Sequence, residues 1–399
     1  MFSLVKKART ALRGVVTPTP LVYSAALSNR FNCRIYLKLE NLQKTGSFKV
    51  RGAYNKILSL SPGDKKRGVI TASSGNHAQG VAWAASLLGV RSTVVMPETA
   101  PIIKHVAVRS YGANVIFHGR GFDEAYERAM EAAGKNGLTF IHPFDDELVM
   151  AGQGTIGLEI LHDLPEVDCV VVPVGGGGLI SGIAAALKGL KRRVRVIGVE
   201  ASGSASCRMS LKKGRPVSGK TGLTIADGIA IKKIGEKTFP VIKRYLSDCV
   251  AVSEGSIAGA ILKLIERKKL VVEGAGAVPL AALMEGKVRA GKEDNVVLVL
   301  SGGNIDPTTL ERVIRLGLVK EGRVARLETV LPDVPGTLSR FTKEIALLKS
   351  NILHVIHQRE AVDCPVGMAK LDIILEVEDH GHAKRIIRRL REKGYKVRR

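Results

Sequence analysis

Residues 47–53 read Ser47-Phe48-Lys49-Val50-Arg51-Gly52-Ala53, and they place one lysine at the start of a predicted helix. The residues just before Phe48 are typical of a turn, and apolar residues recur at helical spacing from Val50 to Leu58. An ammonium in the first turn of a helix meets the positive end of the helix dipole, which disfavours its charged form. A neutral lysine forms Schiff bases readily, so Lys49 is a candidate nucleophile. The alternative is a solvated surface lysine, one of 61 Lys and Arg residues.

Length and composition indicate an α/β protein of two or three domains. The chain has 399 residues, of which 45% are hydrophobic and 43 are glycine. It has no apolar run long enough to span a membrane. Its first 14 residues form a short, charged segment unlike a signal peptide, so we expect a cytoplasmic protein without a membrane partner. The five cysteines are scattered and form no Cys-x-x-Cys pair, which argues against a zinc site.

The net charge of +24 raises the question of nucleic-acid binding. The basic residues are spread along the chain, only 4% of the residues are aromatic, and no nucleic-acid-binding motif is present. We therefore expect no nucleic-acid partner.

Residues 1–300 alternate short β-branched runs with Ala-rich helical segments, which predicts parallel sheets covered by helices. The predicted helices include 78–88 and 179–190. The predicted strands are 34–39, 68–71, 92–96, 114–117, 169–174, 194–200 and 295–300.

A second domain is predicted after a charged connector at residues 320–323. The pattern there gives a strand at 324–331, a helix at 337–349, strands at 352–358 and 370–377, a helix at 382–393 and a final short strand. That order, βαββαβ, is the ferredoxin-like arrangement.

Three polar or glycine-rich loops follow predicted strands, where open α/β sheets bind their ligands. Ser73-Ser74-Gly75-Asn76-His77 opens a helix, so its backbone N–H groups suit a ligand carboxylate, and the Asn76 amide suits a ligand oxygen. Gly175-Gly176-Gly177-Gly178 has no side chains to block converging amides, which predicts a phosphate site, although such a run also serves tight packing. The Ser301 hydroxyl in Ser301-Gly302-Gly303-Asn304 can hydrogen-bond a ring nitrogen without charging it.

These groups together describe one ligand. An amine for an imine, amides for a phosphate, an asparagine for a ring oxygen and a hydroxyl for a ring nitrogen match pyridoxal 5′-phosphate. The sequence therefore predicts this cofactor.

The chain resembles the fold-type II pyridoxal-phosphate enzymes, and within them the threonine dehydratase family, over essentially its whole length. Besides the loops above, the matching motifs are Thr17-Pro18-Thr19-Pro20-Leu21, Lys38-Leu39-Glu40-Asn41-Leu42-Gln43, His142-Pro143-Phe144-Asp145-Asp146, Gly152-Gln153-Gly154-Thr155 and Thr224-Ile225-Ala226-Asp227-Gly228-Ile229-Ala230. The resemblance implies a tryptophan-synthase-β-like catalytic domain over residues 1–319, with a small subdomain at roughly 45–150 inserted in a large one.

The resemblance also implies roles for individual residues. Lys49 would hold the cofactor as an imine and then act as the general base, with Ser74 as a second catalytic residue. The implied cofactor-binding residues are Phe48, Lys49, Asn76, Gly175, Gly176, Gly177, Gly178, Leu179 and Ser301. The implied substrate-binding residues are Ser73, Ser74, Asn76 and His77.

The implied reaction is conversion of L-threonine to 2-oxobutanoate and ammonia, with L-serine giving pyruvate. An L-serine dehydratase or serine racemase is the alternative, and a non-catalytic amino-acid sensor is the alternative from another class. Serine racemases bind a divalent cation through an acid that matches Glu200, but their second acid falls near Ser206 here, so Glu200 is only a possible metal ligand.

Residues 324–399 resemble an ACT domain, a small amino-acid-sensing module. Leu331-Pro332-Asp333-Val334-Pro335-Gly336 matches its first loop, which implies an effector site that includes Asp333 and Gly336. In this family, pairs of ACT domains bind isoleucine or valine between chains, so a homo-oligomer, a dimer or tetramer, is expected. Holding an oligomer together is the alternative role. The sequence leaves open isoleucine synthesis or threonine breakdown as the pathway.

Overall fold

The computed structural model describes residues 1–191, 193–360 and 364–398, and these form two compact units. The first unit is Met1–Pro307, and the second begins at Thr308. No helix in the described ranges is long and apolar enough to cross a membrane.

The first unit alternates strands and helices, as the sequence predicts. Its strands are β1 (Leu21–Tyr23), β2 (Arg34–Leu39), β3 (Val69–Ala72), β4 (Ser92–Met96), β5 (Asn114–Phe117), β6 (Thr139–Phe140), β7 (Cys169–Pro173), β8 (Arg195–Ala201), β9 (Asp248–Val252) and β10 (Asn295–Leu300). Its helices are α1 (Phe2–Ala11), α2 (Ala25–Phe31), α3 (Lys49–Leu58), α4 (Pro62–Arg67), α5 (Asn76–Leu87), α6 (Ile102–Ser110), α7 (Phe122–Asn136), α8 (Glu147–Asp163), α9 (Gly178–Leu190), α10 (Ser206–Lys213), α11 (Thr238–Tyr245), α12 (Glu254–Lys268) and α13 (Gly274–Met284). Short 3₁₀ turns lie at Glu40–Leu42 and Asp227–Ile229.

Two sheets organise this unit. The larger has the strand order β1-β2-β10-β7-β8-β9, in which only β1 pairs antiparallel to its neighbour. The smaller has the order β5-β4-β3-β6 and is parallel throughout. The central strands β7 and β10 are buried along their whole length, as expected for a sheet covered on both faces. The α/β class with parallel sheets is therefore confirmed.

The sequence analysis did not predict three of these strands, β1, β6 and β9. β1 and β6 contain three and two residues, too few to show a period. β9 lies at the edge of its sheet and begins at the exposed Asp248, a residue more typical of turns than of strands.

A buried ion cluster fixes helix α3, which begins at Lys49. The fully buried guanidinium of Arg51 contacts Glu40 (Nη2–Oε1, 2.8 Å) and Glu159 of α8 (Nη1–Oε1, 2.5 Å). Lys38 of β2 binds the same Glu159 at 2.7 Å. Burial alone would lower the pKa of Arg51, but the two carboxylates reverse this and raise it. The cluster joins β2, the turn after it, α3 and α8.

Helices α8 and α9 approach so closely that their backbones touch at glycine. A Cβ atom at Gly182 of α9 would collide with the carbonyl oxygen of Met150, and one at Gly154 would lie 2.7 Å from the Gly182 oxygen. These glycines are needed because no side chain fits between the two helices.

The second unit contains α14 (Pro307–Lys320), β11 (Val324–Pro332), α15 (Thr337–Leu347), β12 (Asn351–Gln358), β13 (Met368–Glu376) and α16 (His380–Glu392). Its antiparallel sheet has the order β11-β13-β12 and packs its buried face against α15 and α16. Helix α14 continues through Lys320, so the predicted connector is shorter than expected.

The final strand of the predicted βαββαβ order is reduced to one bridge between Glu328 and Arg398 in the described residues. The two residues exchange backbone hydrogen bonds of 2.8 and 2.9 Å. The residues before Arg398 instead complete the end of α16, where Tyr395 donates its N–H to the carbonyl of Leu390 and packs edge-on against Phe341.

Replacing Gly182 by alanine should destabilise the first unit by about 1–3 kcal/mol or more, because the new methyl group overlaps backbone that cannot move independently. The matched control is Gly134→Ala in α7, where an added Cβ meets no atom within 4 Å and should stabilise by about 0.5–1 kcal/mol. Denaturant unfolding of both variants measures the difference. Equal stabilities would contradict the packing argument.

Candidate active site

One cavity of about 1220 Å³ lies in the first unit, at the carboxyl ends of strands from both sheets. The loops after β3, β7 and β10 meet there, as expected for ligand sites of open parallel sheets. The predicted cofactor and substrate residues all line it: Phe48, Lys49, Ser73, Ser74, Asn76, His77, Gly175, Gly176, Gly177, Gly178, Leu179 and Ser301.

Lys49 is the first residue of α3, and its amine has one carbonyl partner in the cavity. Its Nζ donates to the Pro143 carbonyl oxygen at 2.9 Å and lies 5.2 Å from the centre of the Phe48 ring. Burial lowers the pKa of Lys49 to about 8, and the nearby Glu273 partly opposes this. The helix-dipole argument from the sequence predicted a lowered pKa for Lys49, which is the right direction, but burial is its main cause. A substantial fraction of this amine is neutral at mildly alkaline pH.

Asn76 is held in one orientation by two residues of the opposite wall. Its Nδ2 donates to both carboxyl oxygens of Glu273, at 2.8 and 3.0 Å. Its Oδ1 accepts from Asn304 Nδ2 at 2.8 Å, and the same nitrogen of Asn304 also donates to the Thr45 carbonyl. The Asn76 amide is thus directed at Glu273, and a ligand oxygen would have to take over one of these two hydrogen bonds.

Glu273 is a site residue that the sequence reasoning missed. It lies just before α13, almost 200 residues from Asn76, and is fully enclosed. Burial, and then the neighbouring Asp227, raise the pKa of Glu273 to about 7. A carboxyl group of this kind holds or releases a proton near neutral pH, beside the amine of Lys49.

The glycine run has a geometry compatible with both of the roles considered for it, phosphate binding and tight packing. Helix α9 begins at Gly178, and Gly177 before it has φ +94°, so N–H groups at the helix start face the cavity without partners inside the helix. Side chains are also excluded on the protein side, because a Cβ at Gly176 would collide with the Phe144 ring. A helix start of the kind that suits an anion is therefore packed tightly against a phenyl ring.

His77 is neutral in this site. Its Nε2 lies 2.9 Å from the Ile141 carbonyl, to which it donates, and burial lowers the pKa of His77 to about 3. Its Nδ1 is buried without a hydrogen-bond partner in the part of the chain that the structure describes. His77 therefore offers an acceptor to the interior of the site and no positive charge.

Two ion pairs join the walls of the cavity. Lys104 of α6 binds Asp227 at 2.9 Å, and Lys232 binds Asp123 at the start of α7. Each pair links the side built on the smaller sheet to the segment that contains Asp227 and Lys232. Both are partly exposed to solvent.

Glu200, the possible metal ligand, does not line this cavity. The Glu200 carboxylate accepts the N–H groups of Cys207 and Arg208 at the start of α10, at 2.7 and 3.0 Å, and faces the Cys249 thiol at 3.7 Å. These donors do not suit a cation, and the described residues include no cluster of three or more His, Cys, Asp or Glu residues able to hold one. Burial raises the pKa of Glu200 to about 7.

The residues of the cavity fit pyridoxal phosphate. A buried amine of lowered pKa, a side-chain-free helix start and an oriented amide are the groups that its aldehyde, phosphate and ring oxygen need. Residues 12–302 match the family model described as "Pyridoxal-phosphate dependent enzyme". The chain belongs to this family.

Individual relatives show which members of this family the chain is similar to. An L-threonine ammonia-lyase from Thermotoga maritima is 51% identical over 396 residues, which cover 99% of this chain and 98% of the relative. The solved structure of processed threonine deaminase isoform 2 from Solanum lycopersicum has a TM-score of 0.75 at 39% identity and covers 79% of this chain and 92% of its own. Maize serine racemase has the same TM-score at 32% identity, covering 80% of this chain and 98% of its own.

Replacing Glu273 by glutamine should lower the pKa of Lys49 below its value of about 8. The carboxylate favours the ammonium form of Lys49, and its charge disappears in the variant. The pH dependence of Lys49 acetylation in cofactor-free protein, followed by mass spectrometry, measures this pKa. Glu293→Gln, an exposed partner of Arg34, is the control. An unchanged or raised pKa in the Glu273 variant would contradict the expected coupling.

Proposed function

We propose that this protein is an L-threonine ammonia-lyase that converts L-threonine to 2-oxobutanoate and ammonia. The observation that carries the proposal is the 51% identity, over 99% of the chain, to an L-threonine ammonia-lyase, combined with an amine of lowered pKa in the cavity. The maize serine racemase is a more distant relative at 32% identity, so serine racemisation ranks second. Elimination from L-serine to pyruvate would use the same residues.

Pyridoxal phosphate, when bound, withdraws electrons from the substrate Cα and so acidifies its hydrogen. Lys49 would hold the cofactor through its Nζ, and its free amine would remove this proton, because a buried amine of lowered pKa is a good base near neutral pH. The helix start at Gly175–Gly178 would hold the phosphate. Ser73, Ser74, Asn76 and His77 orient the substrate through its carboxylate.

Three groups set the proton balance of the site. Glu273 and Lys49 have pKa values of about 7 and 8, so either one can exchange a proton near neutral pH. The leaving hydroxide also needs a proton. Ser74 offers a hydroxyl in the same cavity, which supports a second catalytic role for it. Ser301, which lines the same cavity, would hydrogen-bond the ring nitrogen and leave it uncharged.

We further propose that the second unit is an ACT effector-binding domain over residues 324–399, attached to a catalytic domain over residues 1–319. Its antiparallel sheet with α15 and α16 on one face supports this. The loop after β11 carries Asp333, which pairs with Arg359 at 2.8 Å, and Gly336 with φ +84° at the start of α15. Isoleucine or valine is the proposed effector, and a homo-oligomer the proposed assembly. The five free cysteines support a cytoplasmic location.

Lys49→Ala should remove the 2-oxobutanoate activity by at least about 10³-fold, because the amine that binds the cofactor and moves the proton is lost. The assay supplies L-threonine and L-serine in parallel and measures both 2-oxo acids. The exposed Lys44→Ala is the matched control and should retain activity. A parent protein that binds the cofactor but forms neither 2-oxo acid would refute the lyase proposal.

Asp333→Asn should raise at least tenfold the isoleucine or valine concentration that half-maximally shifts the melting temperature. The substitution weakens the pair with Arg359 and removes a charge from the proposed effector loop. L-aspartate serves as the control ligand. No shift with either branched amino acid in the parent protein would favour a purely structural role for the second unit.

A further inference from the structure

The segment His142-Pro143-Phe144-Asp145-Asp146 lies between β6 and α8 and has no role in the proposed function so far. His142, Pro143 and Phe144 line the cavity. The carbonyl of Pro143 is the hydrogen-bond partner of the Lys49 amine. The groups that hold the Pro143 carbonyl in position therefore also affect the proton transfer assigned to Lys49.

The imidazole of His142 closes the chain into a tight turn around Pro143. Its Nδ1 accepts the N–H groups of Phe144 and Asp145, at 3.2 and 2.8 Å. Asparagine and aspartate close similar turns by accepting backbone N–H groups two or three residues further along. In this turn the Pro143 carbonyl lies 2.9 Å from Lys49 Nζ.

The residues that follow are anchored on three other elements. The Phe144 ring packs against Gly176 of the phosphate loop, and the Phe144 backbone and Cβ lie close to Gly178. The Asp145 carboxylate accepts N–H groups of residues 236–238 at the start of α11, and Asp146 caps α8 through the N–H groups of Leu148 and Val149. These anchors hold residues 144–146 in place. The orientation of the Pro143 carbonyl then depends on the turn that the His142 ring closes.

We propose that His142 is a positioning residue, which acts on Lys49 through the Pro143 carbonyl and aligns the amine for removal of the substrate Cα proton. The proposal rests on the lyase function proposed above. A neutral amine has two N–H groups and one lone pair. A carbonyl that binds one N–H limits rotation about the Cε–Nζ bond, so the lone pair has few directions left.

The ring is neutral, as an Nδ1 acceptor requires, and its proton resides on Nε2. Burial lowers the pKa of His142 to about 4. Of the charged groups around the ring, Asp145 and Asp146 favour protonation, whereas Lys49 and Lys237 oppose it. The turn is therefore intact through the neutral pH range.

The test compares His142→Asn, His142→Gln and His142→Leu. Asparagine places its Oδ1 near the position of the imidazole Nδ1 and can close the same turn, glutamine carries its oxygen one bond further, and leucine has no acceptor. With L-threonine, the leucine and glutamine variants should lose about 10- to 100-fold in kcat while KM changes less than about threefold. Asparagine should restore kcat to within about threefold of the parent.

Two further readouts separate positioning from a loss of structure. The kinetic isotope effect with α-deuterated L-threonine should rise in the leucine and glutamine variants, because proton removal becomes the slow step, and stay at the parent value in the asparagine variant. A lowered melting temperature with a parent-like isotope effect would overturn the proposal. So would an asparagine variant as slow as the leucine variant.

Cofactor-free protein tests the same contact without any lyase activity. A carbonyl stabilises an ammonium more than a neutral amine, so its displacement should lower the pKa of Lys49 in the leucine and glutamine variants and leave it unchanged in the asparagine variant. Acetylation of Lys49 against pH measures this. If the parent protein has no lyase activity but these pKa shifts occur, the proposed function is refuted and the positioning contact is supported. If Lys49 has the same pKa in the parent and in all three variants, the contact is refuted.

Discussion

The guanidinium of Arg51 fixes where Lys49 lies, because the two residues share the first turn of α3. Its partners Glu40 and Glu159 come from a turn and a helix that are far apart in sequence, and neither carboxylate can leave without stranding a fully buried cation. Breaking such a buried pair typically costs about 3–5 kcal/mol. Arg51 Nη1 also donates to the Thr155 hydroxyl at 3.1 Å, so three of the sequence motifs, at residues 38–43, 47–53 and 152–155, meet at this guanidinium. Helix α3 enters the cavity at a position that this guanidinium sets.

The buried titratable groups around Lys49 hold little fixed charge, whereas the ion pairs of the cavity lie at its partly exposed walls. His77 and His142 are neutral because burial disfavours their cations, and Lys49 and Glu273 both have pKa values close to neutrality. Protons can thus move between groups of similar affinity, which is the condition under which general acid and base catalysis is most efficient. The fixed positive potential comes from the helix start at the glycine run, where an anion would bind.

Sequence patterns predicted the parallel sheets and the cavity-lining loops well, because period, glycine runs and strand ends are local signals. The strands 34–39, 92–96, 114–117 and 295–300 have the predicted bounds. Glu273 was not found, since its partner Asn76 begins helix α5 almost 200 residues away and only the tertiary fold brings the two together. The length of the last strand in the second unit was overestimated. Its residues alternate as in a strand, but most of them form the end of helix α16 instead of pairing with a neighbouring strand. Residues 142–146 were recognised as a motif, but their hydrogen bonds to α8 and α11 were not visible in the spacing.

The walls of the cavity differ in how they are held, and this difference bears on how such a protein can change over evolution. The wall at residues 142–146 is tied to the amine, the phosphate loop and two helix starts, so a substitution there disturbs several functions at once. The wall at α6 and α7 is joined across the cavity by Lys104–Asp227 and Lys232–Asp123, two partly exposed pairs of the kind that contributes little to stability. Substitutions at these pairs can accumulate without loss of the fold. New substrate preferences should therefore arise there first, while residues 142–146 preserve the chemistry.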